Sequence, residues 1–373
     1  MSHLERIGLG AIDRQKLVLF MCEHAFVRWE AQSTDQESDG RLPGLGHVGT
    51  VRTFDSPEAM GVRFHEVEAK SALNHVPGNA LPFSYTVNPY RGCSHACAYC
   101  FARPTHRYLD LNAREDFERE IVVKVNVPER LRVELKRPSW QGETIALGTN
   151  TDPYQWVEGR YRLTRAIWEV LIEARNPASV LTKSSLLLRD TDLFSELNEV
   201  AGFQASLSIP TLNEAAWRAS EPRTPHPRKR IEAVAELAAA GIPVGVLIAP
   251  LMPGINDSPE QVEEILRLCS EAGARSVGGL GLHLKGEVRE IFLDWLRGYR
   301  PDLLPRYEEL YAGGAFLPRS QRQRIAGTLE RARRRSGVRA GSMEERRAAT
   351  RRRRPQRPAA AERDEPDQQA SLF

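Results

Sequence analysis

No apolar run in this chain reaches the roughly 18 residues that crossing a bilayer requires. The N-terminus lacks a signal-peptide layout as well, since Glu5, Asp13 and Arg14 interrupt its apolar residues. These two absences predict a cytoplasmic protein with no membrane partner. Cysteine is scarce too: there are five, an odd number, and three of them are packed together. Such usage fits a reducing compartment and argues against a disulfide scaffold. What remains, 373 residues with 41% hydrophobic and 27% charged, is ordinary for a globular protein of one large or two average domains.

Net charge is nearly lacking, at +3, but the balance is uneven along the chain. Residues 331–354 hold eleven arginines and two glutamates, a local +9. Residues 355–373 carry −2, which leaves −4 for residues 1–330. The body is mildly acidic and the basic character belongs to the tail.

The three clustered thiols stand in Arg91-Gly92-Cys93-Ser94-His95-Ala96-Cys97-Ala98-Tyr99-Cys100. Their spacing is C-x3-C-x2-C, with an aromatic residue just before the last cysteine. A zinc site closes a tetrahedron with four ligands, usually from two C-x2-C pairs or a Cys/His mixture. His95 or His106 could supply a fourth here, although C-x3-C is an unusual zinc half-site. A disulfide inside so short a loop fits bridge geometry poorly. Three thiolates from one loop suit a 4Fe–4S cubane that keeps one iron open to a small chelating molecule.

Further along, residues 1–80 read as an irregular N-terminal extension, with Gly40, Pro43, Gly44, Gly46 and Gly49 marking a loop and a possible short strand at Phe64-His65-Glu66-Val67. A regular alternation follows over residues 81–300. Candidate strands are 84–89, 144–149, 179–183, 203–209, 243–250 and 277–284. Helical spacing appears between them at Leu163, Ile167, Val170 and Leu171, and again at Val262, Ile265, Leu266 and Cys269. Near-continuous apolar strands parted by helices predict six parallel βα units buried on both faces. The cysteine loop follows the first of these strands, and in such barrels reactive groups gather at the C-terminal strand ends. Residues 301–330 read as a helical closing segment, and 331–373 as a disordered, Arg-rich tail.

The cysteine loop resembles that of the radical S-adenosylmethionine (radical SAM) superfamily, C-x3-C-x-aromatic-C. The resemblance implies an α/β fold, the partial (β/α)6 TIM-type barrel, with Cys93, Cys97 and Cys100 holding a 4Fe–4S cluster. It implies S-adenosylmethionine as second cofactor, chelated at the open iron and cleaved to a 5′-deoxyadenosyl radical with an electron from an external donor. Within the superfamily the chain looks most like the spore photoproduct lyase branch of DNA repair enzymes, over roughly residues 85–285. The shared features are the cysteine loop, Thr151-Asp152, Thr182-Lys183, the Ser206 strand, and Val246, Ala249 and Pro250.

For the cofactor's amino group the loop Gly148-Thr149-Asn150-Thr151-Asp152-Pro153-Tyr154 is in the right place. Asn150, Thr151 and Asp152 offer acceptors to an ammonium; the alternative is a turn capped by Asn and Asp. Lys183 either reaches solvent from the rim or faces the cofactor carboxylate. Ser206 and Ser208 share one side of their strand, and bind the carboxylate or ribose if that side is the lumen. The lyase-like resemblance favours Lys183 and Ser206 as cofactor contacts. The fifth strand lines the adenine or is plain core.

One departure stands out. The lyase has a hydrogen-donating cysteine at the end of its second strand, where this chain has Thr149. The spare thiols are Cys22 and Cys269, the latter on an apolar helix face. Repair of the spore photoproduct itself is therefore not expected, while a related reaction on nucleic acid is. The arginines of 331–354 suit a DNA backbone, or else are a solvated charge block. Gln369-Ala370-Ser371-Leu372-Phe373 resembles the peptide that docks on the bacterial DNA sliding clamp, Gln-Leu-Ser-Leu-Phe. Two other readings stay open: radical SAM modification of a protein or small molecule, and a non-enzymatic regulator that uses its cysteines for metal or redox sensing.

Overall fold

The computed structural model describes residues 34–41, 48–54, 59, 61–77, 81 and 83–337. Cys22, the arginines beyond residue 337 and the terminal peptide 369–373 lie outside the described residues. In chain order the strands are β1 (Thr34–Arg41), β2 (Val48–Phe54), β3 (Arg63–Val67), β4 (Leu73–His75), β5 (Tyr85–Val87), β6 (Tyr90–Arg91), β7 (Glu120–Lys124) and β8 (Ile145–Leu147). The last four are β9 (Ala178–Thr182), β10 (Phe203–Ser208), β11 (Val244–Leu251) and β12 (Ser276–Gly281).

Seven strands form one sheet in the order β12-β11-β10-β9-β8-β5-β4. Its six members from β5 to β12 are parallel, and β4 adds an antiparallel edge beside β5. This is the expected open six-unit barrel, and all six candidate strands are within a few residues of the observed ones. The crossover helices Leu163–Glu173, Thr191–Val200, Pro227–Ala239 and Pro259–Glu271 cover its outer face. Their boundaries follow from local chemistry. Ser258 accepts a hydrogen bond from the Gln261 amide, Pro259 takes the first helical turn, and Gly273 at φ +85° lies just beyond the end.

Alternation along the strands separates two environments. Ala205, Leu207, Val244, Val246 and Val277 are buried against the helices, in a core anchored by Trp168 with Phe194 and Phe203 edge-on to it. Each of the valine and leucine side chains contributes roughly 1.5–3 kcal/mol by leaving water. The opposite residues, Ser179, Gln204, Ser206 and Leu247, are only half-buried. They face the lumen.

The N-terminal segment is more regular than expected: the short strand read at Phe64–Val67 is β3, and it is one of several. Strands β1, β2 and β3 join β7 and β6 in a second sheet, ordered β1-β2-β3-β7-β6. Phe54, Phe64, Tyr90, Ile121 and Val123 form its own small core. Two of its strands come from inside the first barrel crossover, so residues 34–124 are woven into the barrel rather than appended to it. The closing segment also runs further than expected: its last helix spans Arg319–Ser336, past the predicted start of disorder at 331. Arg333 explains this, since its guanidinium donates to the Val277 carbonyl at 2.8 and 3.0 Å and so binds the helix to edge strand β12. The barrel's open side is bridged by ion pairs of Arg107 with Glu287 and of Arg114 with Asp294.

Candidate active site

Gly92 opens the cysteine loop at φ +85°, where a Cβ would sit 2.9 Å from His106 and Ile121 side chains. Its carbonyl accepts from the Thr151 hydroxyl at 2.7 Å and from Gln155 Nε2 at 3.2 Å. Gln155 Oε1 in turn accepts from the Ser94 amide at 3.0 Å. Further on, the Ala98 amide donates to the Ser220 carbonyl, and the buried Arg103 guanidinium holds the Cys97 carbonyl at 3.0 Å. The backbone is thus pinned from the second strand's loop, from the helix Glu214–Ser220 and from its own continuation. The three thiols are free.

Cys93 and Cys97 are buried and Cys100 is half-buried. Burial, with Glu221 nearby, pushes the Cys97 thiol well up, and burial with Cys93 pushes Cys100 to about 11. Without a metal the Cys97 and Cys100 thiols stay protonated, and binding one must release their protons. Among the described residues no three His, Cys, Asp or Glu side chains converge closely enough to hold a single metal ion. Thiolates of a cubane each bind a different iron and need no common point. The donor set therefore fits a cluster with three protein ligands: Cys93, Cys97 and Cys100 would hold it, and it would supply the electron that breaks the sulfonium bond.

Asp152 is placed differently from the expected ammonium acceptor. Its Oδ1 accepts from the Tyr154 amide at 2.9 Å and from the Thr182 hydroxyl at 2.6 Å, and its Oδ2 from the Lys183 amide at 2.8 Å. His95 Nδ1 stands 3.3 Å from the same Oδ2, an ion contact whose geometry falls short of a hydrogen bond. Burial alone would raise the Asp152 carboxyl, yet His95 and the donors outweigh it and hold it at about 2. Burial likewise opposes charge on His95, but Asp152 and Cys93 lift it to about 10. Asp152 is a clasp between the second and third strand ends and the cysteine loop. Thr151 is spent in the same way on Gly92, and Asn150 is left half-buried beside them.

Lys183 follows directly on β9 and points across the barrel mouth. Its ammonium donates to Ser208 Oγ at 2.7 Å, lies 3.4 Å from Glu221 Oε1 and stands 5.6 Å above the Tyr99 ring. Glu221 also accepts from the Tyr99 hydroxyl and from Arg230 Nη2 at 2.6 Å. Arg230 is wholly buried and reaches the Ser208 carbonyl at 2.9 Å. Burial opposes charge on Glu221, but Arg230 and then Lys183 bring it down to about 2. One carboxylate thus faces two cations, and the mouth beside the cysteine loop keeps a net positive charge. Gln155 and Glu221 escape sequence reading because their partners Ser94 and Tyr99 lie 61 and 122 residues away, and Arg103 and Arg230 because their contacts to Cys97 and Glu221 follow no motif.

Deeper in the lumen, register aligns Leu181, Ser206, Gly245 and Ser276 in one row. A Cβ on Gly245 would meet Ser276 Oγ at 3.0 Å, and Gln204 Nε2 and Ser206 Oγ at 3.4 Å. Polar groups thus crowd around Gly245 where closed barrels pack branched apolar side chains. Ser206 and Ser208 do share the lumen face. Gly148, at φ +85°, lets the second strand's end touch the third: a Cβ there would lie 1.8 Å from the Leu181 carbonyl oxygen. Cys269 is buried packing, and burial pushes its thiol to about 12.

A six-unit parallel barrel that carries a pinned three-thiol loop over a polar lumen defines an enzyme class that other proteins confirm. The Radical SAM superfamily model matches residues 87–269. An uncharacterised protein of Mycobacterium tuberculosis is 46% identical over 304 residues, covering 80% of this chain and 89% of that one. The radical SAM Nα-GlyT isomerase of Pseudomonas phage M6 is 29% identical over 172 residues, 45% of this chain and 33% of that protein. Among solved structures, spore photoproduct lyase complexed with dinucleoside spore photoproduct superposes with a TM-score of 0.55 at 15% identity, covering 75% of this chain and 83% of that one. The chain belongs to the radical SAM superfamily. It is an enzyme of that class, related in fold to the lyase branch, and the superfamily's cofactors are a 4Fe–4S cluster and S-adenosylmethionine.

Proposed function

We propose that this enzyme uses the 5′-deoxyadenosyl radical on a nucleic-acid substrate, in a DNA repair-like, lyase-related reaction. Cys93, Cys97 and Cys100 hold the cluster, and Lys183, Ser206 and Ser208 hold S-adenosylmethionine. The observation that carries this reading is the Lys183–Glu221–Tyr99 network: it joins the third strand's lysine to the aromatic residue of the cysteine loop, so cofactor carboxylate and cluster would be positioned by one set of bonds. The net positive mouth favours an anionic carboxylate there. Asn150 remains the group best placed for the cofactor's ammonium, now that Thr151 and Asp152 are engaged elsewhere. A nucleic-acid substrate is supported by the fold shared with a lyase solved on a dinucleoside lesion, and by the arginines of 331–354. A target base would have to leave its stack to reach the lumen. Thr149 in the donor position points to a product or hydrogen source unlike that lyase's. The terminal Gln369-Ala370-Ser371-Leu372-Phe373 would recruit the enzyme to a sliding clamp, in the cytoplasm, with an external electron donor.

The test is release of 5′-deoxyadenosine from S-adenosylmethionine under dithionite by anaerobically reconstituted protein. Wild type is expected to release it, and Cys97→Ala to lose both iron and release. A single-stranded DNA is expected to bind with an affinity that falls steeply with salt. Colourless, iron-poor protein with tightly bound zinc would end the cluster assignment. Salt-insensitive or absent DNA binding would end the nucleic-acid assignment alone.

A further inference from the structure

Strand β6 pairs antiparallel with β7, with Arg91 directly opposite Val122. Opposed residues share a face, as do alternate residues of one strand, so Arg91 lies on the face that carries Val122 and Lys124, with Lys124 diagonal to it. Among the described residues neither cation has an acid partner. The Lys124 ammonium donates to the Asn88 carbonyl at 3.1 Å, and the Arg91 guanidinium has neither a hydrogen bond nor an ion pair among the described residues. Glu120, on the same face of β7, is already taken by Arg63 at 2.6 Å and His65 at 2.7 Å. His106, packed alongside, spends Nε2 on the Glu120 carbonyl and is kept neutral by burial. Burial and the neighbouring Arg91 pull the Lys124 ammonium down to about 8. The buried Asn88 Oδ1 has no partner either, and its amide makes one contact, to Thr86 Oγ1 at 3.5 Å.

A half-buried guanidinium and ammonium with no carboxylate between them are unfavourable alone and favourable around an anion. Arg supplies a planar fork that matches phosphate, and Lys a point charge. Their place matters as much as their charge. Asn88 is one residue past the end of β5, and Arg91 is one residue before Gly92. We propose that Arg91 and Lys124 form a binding site for a phosphate group on the lip of the cysteine loop, beside Asn88. The existence of the site stands on its own residues. Its source of phosphate rests on the nucleic-acid reading: a strand phosphate held here would fix the neighbouring nucleotide beside the barrel mouth.

Thermal melting of the full-length protein in inorganic phosphate, against chloride at equal ionic strength and pH 7, tests the site. Phosphate is expected to raise the midpoint of wild type. Lys124→Met, which removes the repulsion, should melt above wild type in chloride and show no phosphate shift, and Lys124→Arg should restore it. An equal phosphate shift in wild type and Lys124→Met, or none in wild type at tens of millimolar, overturns the proposal. A second arm measures single-stranded DNA binding against salt. Lys124→Met should lower the slope of log K against log salt by about 0.7. If phosphate protects through Lys124 but this slope is unchanged, the phosphate site stands and its nucleic-acid source falls.

Discussion

Glu221 receives Arg230, Lys183 and the Tyr99 hydroxyl from three separate parts of the chain, and its own side chain is wholly buried. Removing its charge leaves both cations uncompensated, which costs far more than the pair's net worth. Glu221→Gln is therefore expected to lower unfolding free energy by about 3–5 kcal/mol, read from the urea midpoint. Tyr99→Phe deletes one hydrogen bond to a charged acceptor and should cost about 1.5–3 kcal/mol. Equal effects of the two would show that charge compensation is not what Glu221 provides. The pH dependence follows from the same groups. Glu221 and Asp152 are each held at about 2, below their ordinary values, so their stabilisation is full above those ordinary values and lost as pH falls toward 2. Lys124 runs the other way. Its amine is depressed to about 8 from 10.5, so the folded state gains stability as pH rises between those values, on the order of 3 kcal/mol. Lys124→Met should remove that rise. Of these residues only Asp152, Lys183 and Tyr99 were legible, because each belongs to a short local pattern. Glu221 and Arg230 meet them through folding alone.

The barrel strands were readable because burial on both faces makes them nearly continuous apolar runs, and the helices because one apolar stripe repeats. The second sheet left a trace only in the short strand read at Phe64–Val67, which is β3. Its β7 is a five-residue run, Glu120–Lys124, inside a crossover that sequence treats as helix territory, and the partner strand β3 mixes Arg63, His65 and Glu66 with two apolar residues. The last helix was cut short at 331 for a related reason: its buried stripe is narrow, Ile325, Thr328, Leu329 and Ala332, among many arginines. Arg333 reads as solvated charge and acts as a clip on β12. Arg333→Met should expose the Val277 carbonyl and speed hydrogen exchange through the final helical turns, while the strands β8 to β10 stay protected. Gly148 marks the strictest joint between elements. Gly148→Ala places a methyl against the Leu181 backbone at a positive φ, so neither a rotamer nor a side-chain shift relieves it. Loss of soluble folded protein is expected, with the second and third strand ends forced apart.

The whole chain divides its charge between a mildly acidic body and a strongly basic extension, −4 over residues 1–330 against +9 over 331–354. Four of those eleven arginines, Arg331, Arg333, Arg334 and Arg335, lie in the packed helix, and Arg335 is paired with Glu263. The remaining seven follow residue 337. With those four arginines the packed body through residue 337 is formally neutral and gains little from a phosphate backbone at long range, so on the proposed nucleic-acid reading attraction to DNA would fall to those seven and to the Arg91–Lys124 face. The two contributions separate by experiment. Deleting residues 338–373 spares every bond described around the cysteine loop, and cleavage of S-adenosylmethionine without DNA should be unchanged. Single-stranded DNA affinity should drop sharply at 50 mM salt, and its salt slope should shrink by several units, since each neutralised phosphate contributes about 0.7. At a few hundred millimolar salt the full and shortened chains should bind alike, leaving only what the mouth itself holds. A shortened chain with undiminished low-salt affinity would place the attraction in the folded body, and the arginine run would then be a solubilising segment.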